Sequence, residues 1–252
     1  MSFVISFFCC VLLFGVFVLG GGNPALLFDW RSVLLVVGGV AALSVMSFPA
    51  GALGARLRDA ARTMRRTNGE KLEEELISLA MLAREKGMLA LEDAESRIAN
   101  ALVREGVLLI SGAASQETVC AVLQKQADGQ KIGEQAAQEL FERMAYLAMG
   151  IGAAGTLLKI VLMLHRYTGP QTLAPGIAGA LLPVAYGALL AYVVFLPLAA
   201  RVRTGSIRQQ SLRQAAMEGI LAVQAGESMF VVQERLRTIL HPTVDKHARA
   251  NR

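Results

Sequence analysis

The sequence predicts an all-α integral membrane protein. It should have four transmembrane helices, two plus two, with a helical cytoplasmic domain between spans 2 and 3 and a helical cytoplasmic tail. Three observations predict it. Apolar residues gather into two pairs of membrane-length windows, a charged helix-forming stretch separates the pairs, and Lys and Arg avoid the two short connectors. The predicted divisions are Met1–Pro49 for spans 1 and 2, Ala50–Arg143 for the cytoplasmic domain, Met144–Ala200 for spans 3 and 4, and Arg201–Arg252 for the tail.

The windows come first. Hydrophobic residues make up 54% of the 252-residue chain, and mean hydropathy is +0.47, well above an ordinary soluble domain. Crossing a hydrocarbon core of roughly 30 Å takes about 20 apolar residues in a helix. Phe3–Gly20, Val33–Phe48, Met144–Leu164 and Leu173–Ala200 meet or approach that length. Without a basic start or a small-residue cleavage site, the first window reads as a retained span.

Charge then orients the spans. Of 25 Lys and Arg residues, 13 lie between Ala50 and Arg143 and nine lie after Ala200. The connectors Gly21–Ser32 and His165–Thr172 hold only Arg31 and Arg166. Positive residues collect on the cytoplasmic side, so the middle region and both termini are expected there, in a multi-pass inner-membrane protein. The net charge of +5 reflects that bias and an attraction to anionic lipid headgroups; no nucleic-acid partner is expected. Cys9, Cys10 and Cys120 suggest neither a disulfide framework nor a metal set.

The cytoplasmic stretch is helical in pattern. Glu70–Glu85 puts Leu72, Leu76, Leu79, Ala80 and Ala83 on one face. Leu89–Val107 continues the habit, and Ser115–Tyr146 is expected to run into span 3. Gly87, Gly106 and Gly112 are expected breaks. A tail helix is expected from Arg203 to about Gly226, and a second over Ser228–Leu240. Some ninety residues of short helices have little core of their own, so packing against the tail or against other copies is expected.

The four windows contain no Asp or Glu. An ion relay in a membrane normally needs an ionisable carboxylate, so any transport must borrow one from a partner. Small residues recur at Gly150, Gly152, Ala153, Gly155 and Thr156 in span 3, and at Gly176, Gly179, Ala180, Gly187, Ala188 and Ala191 in span 4. Such spacing brings helix backbones close; spans 3 and 4 could meet each other or face another helix. Lys159 lies roughly 7–8 Å inside the outer end of span 3, at about 1.5 Å per residue. It either snorkels outward, pairs with a partner's carboxylate, or repels cations. Gly152, Thr156 and Lys159 share one helix face. Pro183 and Pro197 interrupt span 4 and favour kinks. Arg84 and Glu92 read by themselves as a solvated charged face. Neither a nucleophile–base set, a metal cluster nor a phosphate loop stands out, so no enzyme and no cofactor is expected.

Taken in order, six motifs resemble the MotA/PomA stator subunit of the bacterial flagellar motor, within the MotA/TolQ/ExbB proton channel group. Asp29-x-x-Ser32, followed by Val36-Val37-Gly38-Gly39 and Ser47-Phe48-Pro49, resembles its second-span entry. Ala83-Arg84-x-x-Gly87-x-Leu89-Ala90-Leu91-Glu92 resembles its cytoplasmic signature. Gly152-x-x-Gly155-Thr156-Leu157 resembles the third span. Tyr186-Gly187-Ala188-Leu189-Leu190-Ala191 and Phe195-Leu196-Pro197-Leu198-Ala199 resemble the fourth, and Glu218-Gly219-Ile220-Leu221-Ala222-Val223-Gln224-x-Gly226-Glu227 the tail.

The resemblance implies a homopentamer around two copies of a MotB-like single-span, peptidoglycan-binding subunit that carries an intramembrane Asp. It implies that ion flow past that Asp drives rotation and flagellar motility. Arg84 and Glu92 would then contact the rotor switch protein, and Thr156, Lys159, Pro183, Val184 and Pro197 would border the ion path. Three positions depart from the pattern: Met149 stands where a proline is expected, Lys159 where a glycine is, and Val184 where a threonine is. A bare Na⁺ needs oxygen ligands, so the missing hydroxyl favours H⁺. The alternatives are a non-conducting MotA-like scaffold, or an ExbB/TolQ-like energiser of another envelope machine, although that branch has one span before its large cytoplasmic region.

Overall fold

The computed structural model describes residues 28–64, 69–87, 90–94, 98–167 and 169–240. The expected first span, Cys9, Cys10 and the end of the chain from His241 lie outside the described residues. Among the described residues every regular element is helical. Three helices are long and apolar enough to cross a membrane: Trp30–Ser47, Gln116–His165 and the run Pro170–Gln224.

The elements are α1 (Trp30–Ser47), α2 (Ala50–Met64), α3 (Gly69–Lys86), α4 (Ala90–Ala94), α5 (Ala101–Ser111), α6 (Gln116–His165), α7 (Pro170–Leu189), a π-helical segment (Leu190–Phe195), α8 (Leu196–Gln224) and α9 (Met229–Leu240). They form two compact units, one of residues 1–60 and 136–202, the other of 61–135 and 203–252. The divisions fall inside α2, α6 and α8 rather than at loops, some ten residues inside the expected boundaries of the cytoplasmic stretch.

In the first unit, α1 begins at a side-chain cap. The Arg31 N–H donates to Asp29 Oδ1 at 3.1 Å, and the Ser32 hydroxyl to Oδ2 at 2.6 Å; such caps satisfy orphan groups of the first turn. α1 ends at Phe48, which is extended (φ −131°, ψ 136°) because Pro49 follows it. Ser32, Val36, Val40 and Ser44 are its buried stripe, one residue every four. Val40 packs with Ala145, Ala148 and Ala191. Leu34, Val37, Val45 and Met46 are exposed, as an all-apolar helix requires when its other faces meet lipid or protein.

The second unit has a continuous apolar core. Leu76 and Leu79 of α3, Val103 and Val107 of α5, Val119 and Leu123 of α6, Ile220 and Val223 of α8, and Val232 and Leu236 of α9 are all buried in it. The tail therefore completes a core that the insert lacks alone. Gly87 (φ +85°) ends α3, in the left-handed region glycine favours. Gly112 caps α5.

Three expectations change. Gly106 is not a break; it is buried inside α5, where a Cβ would lie 2.8 Å from Ile220 Cγ2, so its smallness admits a side chain rather than a turn. The expected helix over Leu89–Val107 is two, and α5 restarts at Asn100, whose Oδ1 accepts the Leu102 N–H at 3.0 Å. The tail helix does not start at Arg203; α8 runs from Leu196 straight into it. Glu134 and Arg213 form a buried bidentate pair at 2.7 and 2.9 Å, with the Ser206 hydroxyl donating to Glu134 at 2.6 Å.

Candidate functional site

The first unit's polar groups meet where α1, α6 and α7 converge. Close approach of α6 and α7 makes the site possible. A Cβ on Gly152 would lie 2.8 Å from Pro183 O, and one on Gly187 would lie 2.4 Å from Ala148 O. Gly155 lies against Pro183 and against Leu35 of α1. These small residues serve contact between the spans; Gly150, by contrast, has no atom within 4 Å of its would-be Cβ.

Pro183 organises the polar chemistry. It lacks an N–H, so the carbonyl four residues earlier loses its helical donor. That carbonyl belongs to Gly179, and the Lys159 ammonium donates to it at 3.2 Å. One residue beyond the proline, the Val184 N–H donates to Thr156 Oγ1 at 3.1 Å. Thr156 is 8% exposed. Two side chains one turn apart on α6 thus attend to the backbone of α7 at its proline.

Lys159 has a second partner, Asp29, with which it forms an ion pair. Both side chains are about a quarter exposed (28% and 26%). Asp29 precedes the first turn of α1, and its N–H donates to the Tyr186 hydroxyl at 3.1 Å. Lys159 and the Ser32 hydroxyl draw the Asp29 carboxyl from 3.8 to about 2, because both stabilise the ionised form. The choices open to Lys159 from sequence were snorkelling, a partner's carboxylate or repulsion of cations. The structure supplies a carboxylate from this chain, 130 residues away. The available signal was depth: Asp29 and Lys159 are opposite charges near the same end of two spans.

The other expected site residues are spread over both units. Pro183 is buried and Val184 half-buried, both at the α6–α7 contact. Pro197 follows the π-helical segment, within which the register lengthens so that the Leu196 N–H reaches Ala191 O, five residues back. A π turn is a usual accommodation where a helix cannot keep its ordinary ladder. Met149 packs beside the Val40–Ala148–Ala191 cluster. Arg84 is exposed in the last turn of α3, and Glu92 lies in α4; both belong to the second unit. Among the described residues no group of three or more His, Cys, Asp or Glu gathers as a metal site.

Comparison with known proteins agrees with this architecture. A family model described as the MotA/TolQ/ExbB proton channel family matches residues 91–215. The uncharacterized protein YtxD of Bacillus subtilis is 31% identical over 202 residues, 79% of this chain and 74% of its own. Chemotaxis protein PomA of Vibrio alginolyticus is 29% identical over 223 residues, 88% of this chain and 87% of its own. Two solved structures share the fold. One, of C. jejuni MotAB, has a TM-score of 0.88 at 21% identity and covers 95% of each chain. The other, the flagellar MotAB stator complex from Bacillus subtilis, has a TM-score of 0.83 at 22% identity, covering 94% of this chain and 96% of its own. By fold, and by similarity along most of its length, this chain belongs to the MotA/TolQ/ExbB proton channel family, among the MotA-type members.

Proposed function

We propose that this chain is the ring-forming subunit of an ion-driven rotary stator in the bacterial inner membrane. Five copies surround two copies of a MotB-like single-span subunit. Ions passing that subunit's intramembrane Asp turn the ring, and the cytoplasmic unit delivers torque to a flagellar rotor through Arg84 and Glu92. The termini lie in the cytoplasm. Thr156, Lys159, Pro183, Val184 and Pro197 border the ion path on this chain's side.

The observation that carries the reading is the acid-free wall of residues 144–164 and 173–200, whose one charge, Lys159, is neutralised by Asp29 of the same chain. An unpaired Lys159 would oppose cation passage, since like charges a few ångströms apart repel by several kcal/mol in a medium of low polarity. Paired with Asp29, it presents little net charge. H⁺ is favoured over Na⁺ for a related reason. The Thr156 hydroxyl and the Gly179 carbonyl are already engaged, and Val184 offers no side-chain oxygen. Protons pass along water without needing that shell of ligands.

The test is proton flux into vesicles holding this protein with its cognate single-span partner. Flux should appear with the partner and vanish when the partner's intramembrane Asp becomes Asn. Flux absent in both, from a correctly assembled complex, would refute conduction and leave a scaffold.

A further inference from the structure

We propose that the Lys159 ammonium is a tethered cation filling a site that would otherwise bind a monovalent metal ion such as Na⁺. The site has the parts such an ion needs. Hard cations take oxygen ligands, carboxylates and carbonyls above all. The Lys159 nitrogen is held by the Asp29 carboxylate and by the Gly179 carbonyl. The Ser32 hydroxyl lies 2.6 Å from the same carboxylate oxygen. None of these oxygens is incidental. The Gly179 carbonyl is open because Pro183 has no N–H to give it. The Asp29 carboxylate is fixed by capping α1, with the Arg31 N–H on its other oxygen at 3.1 Å. The Asp29 backbone is tied to α7 by the Tyr186 hydroxyl. The start of α1 and the middle of α7 thus preorganise oxygens around one positive centre, and that centre is covalently part of the chain through α6.

An ammonium and an alkali-metal ion can replace each other here because both are compact monovalent cations that oxygens surround. The tethered one has the advantage: it is always present at the site, whereas Na⁺ must arrive from solution and shed water. Lys159 therefore keeps Na⁺ out without any change in the oxygens. The occupancy rests on geometry alone; its consequence, a complex indifferent to external Na⁺, rests on the stator reading.

The experiment measures binding rather than motility, so the two can fail separately. Purified wild type, Lys159→Met, Lys159→Ser, Lys159→Arg and the double variant Asp29→Asn/Lys159→Met are melted in detergent, in NaCl or choline chloride at equal ionic strength. Sodium-23 NMR line broadening on the same samples reports binding directly. Lys159→Met and Lys159→Ser should melt higher in Na⁺ than in choline by roughly 3 °C at Na⁺ well above its dissociation constant, and should broaden the sodium line. Wild type, Lys159→Arg and the double variant should do neither. A variant that folds only when Na⁺ is present would support the proposal more strongly. Lys159→Met and Lys159→Ser proteins that melt alike in both salts and bind no Na⁺ would overturn it. So would variants that fold in neither salt, because Na⁺ then cannot replace the ammonium. A wild-type response equal to theirs would overturn it as well.

Discussion

Adding one methyl group at Gly187 should separate α6 and α7. An alanine Cβ there would lie 2.4 Å from Ala148 O and 3.1 Å from Gly152 Cα. A relaxed carbon–oxygen contact is about 3.3 Å or more, so the backbones must part by roughly 0.9 Å at this point. Overpacking of that kind costs about 1–3 kcal/mol. The same displacement stretches the 3.1 Å bond from the Val184 N–H to Thr156 to roughly 4 Å, beyond hydrogen-bonding range, at a further cost of about 1 kcal/mol. Alanine's better helix propensity offsets about 1 kcal/mol. The expected net loss is about 1–3 kcal/mol. Thermal unfolding in detergent measures it, and hydrogen exchange at the Val184 amide locates it. Gly150→Ala is the control, because nothing lies within 4 Å of that Cβ; it should be neutral or slightly stabilising. If Gly187→Ala melts with Gly150→Ala and keeps its Val184 amide protected, the spans do not approach each other as closely as this contact requires.

Other outcomes rest on the same geometry. Thr156→Val leaves the Val184 N–H without its acceptor and should cost about 1–3 kcal/mol, while Thr156→Ser keeps the oxygen and should lose less; equal losses would point to packing instead. Arg213→Ala strands the buried Glu134 carboxylate and should destabilise the second unit by about 3–5 kcal/mol, much of it recovered when both residues become apolar; urea unfolding gives both numbers, and a loss below about 1 kcal/mol would refute the burial argument. Asp29 has a folded-state pKa lowered from 3.8 to about 2, so its contribution is complete above the unfolded value and is lost as pH falls through about 2. The melting temperature of wild type should therefore fall more steeply than that of Asp29→Asn across this window, and parallel curves would count against the ion pair.

The three long apolar helices among the described residues were legible because length and apolar content report directly on the bilayer, and α1 lies within three residues of its expected start. Leu72, Leu76, Leu79 and Ala80 were legible for a similar reason: one face at helical spacing must be buried somewhere. Gly106 was not. In sequence a glycine between charged and apolar residues reads as punctuation, and only Ile220 arriving from the tail makes it a contact. The Lys159–Asp29 pair was hidden by the same kind of distance. Each residue was conspicuous alone, yet the partnership depends on α1 and α6 meeting beside α7. Asn100 could have been found locally, as a short polar residue directly before an apolar helical run is a capping signal.

The π-helical segment Leu190–Phe195 carries one residue more than the ordinary ladder between Ala191 and Leu196. Each residue of an α-helix turns the face by about 100°, so this surplus resets the angular phase of α8. Side chains from Leu196 onward point in directions that an uninterrupted count from Gly187 would not assign them. Forcing the segment into an ordinary α-ladder at unchanged length would swing Ala199 and Val202, both buried now, by about 100° away from their neighbours, whereas deleting one residue within it would leave their facing as it is. The segment therefore works as a vernier, letting the small-residue surface upstream and the buried residues downstream each be aligned without forcing a compromise between them.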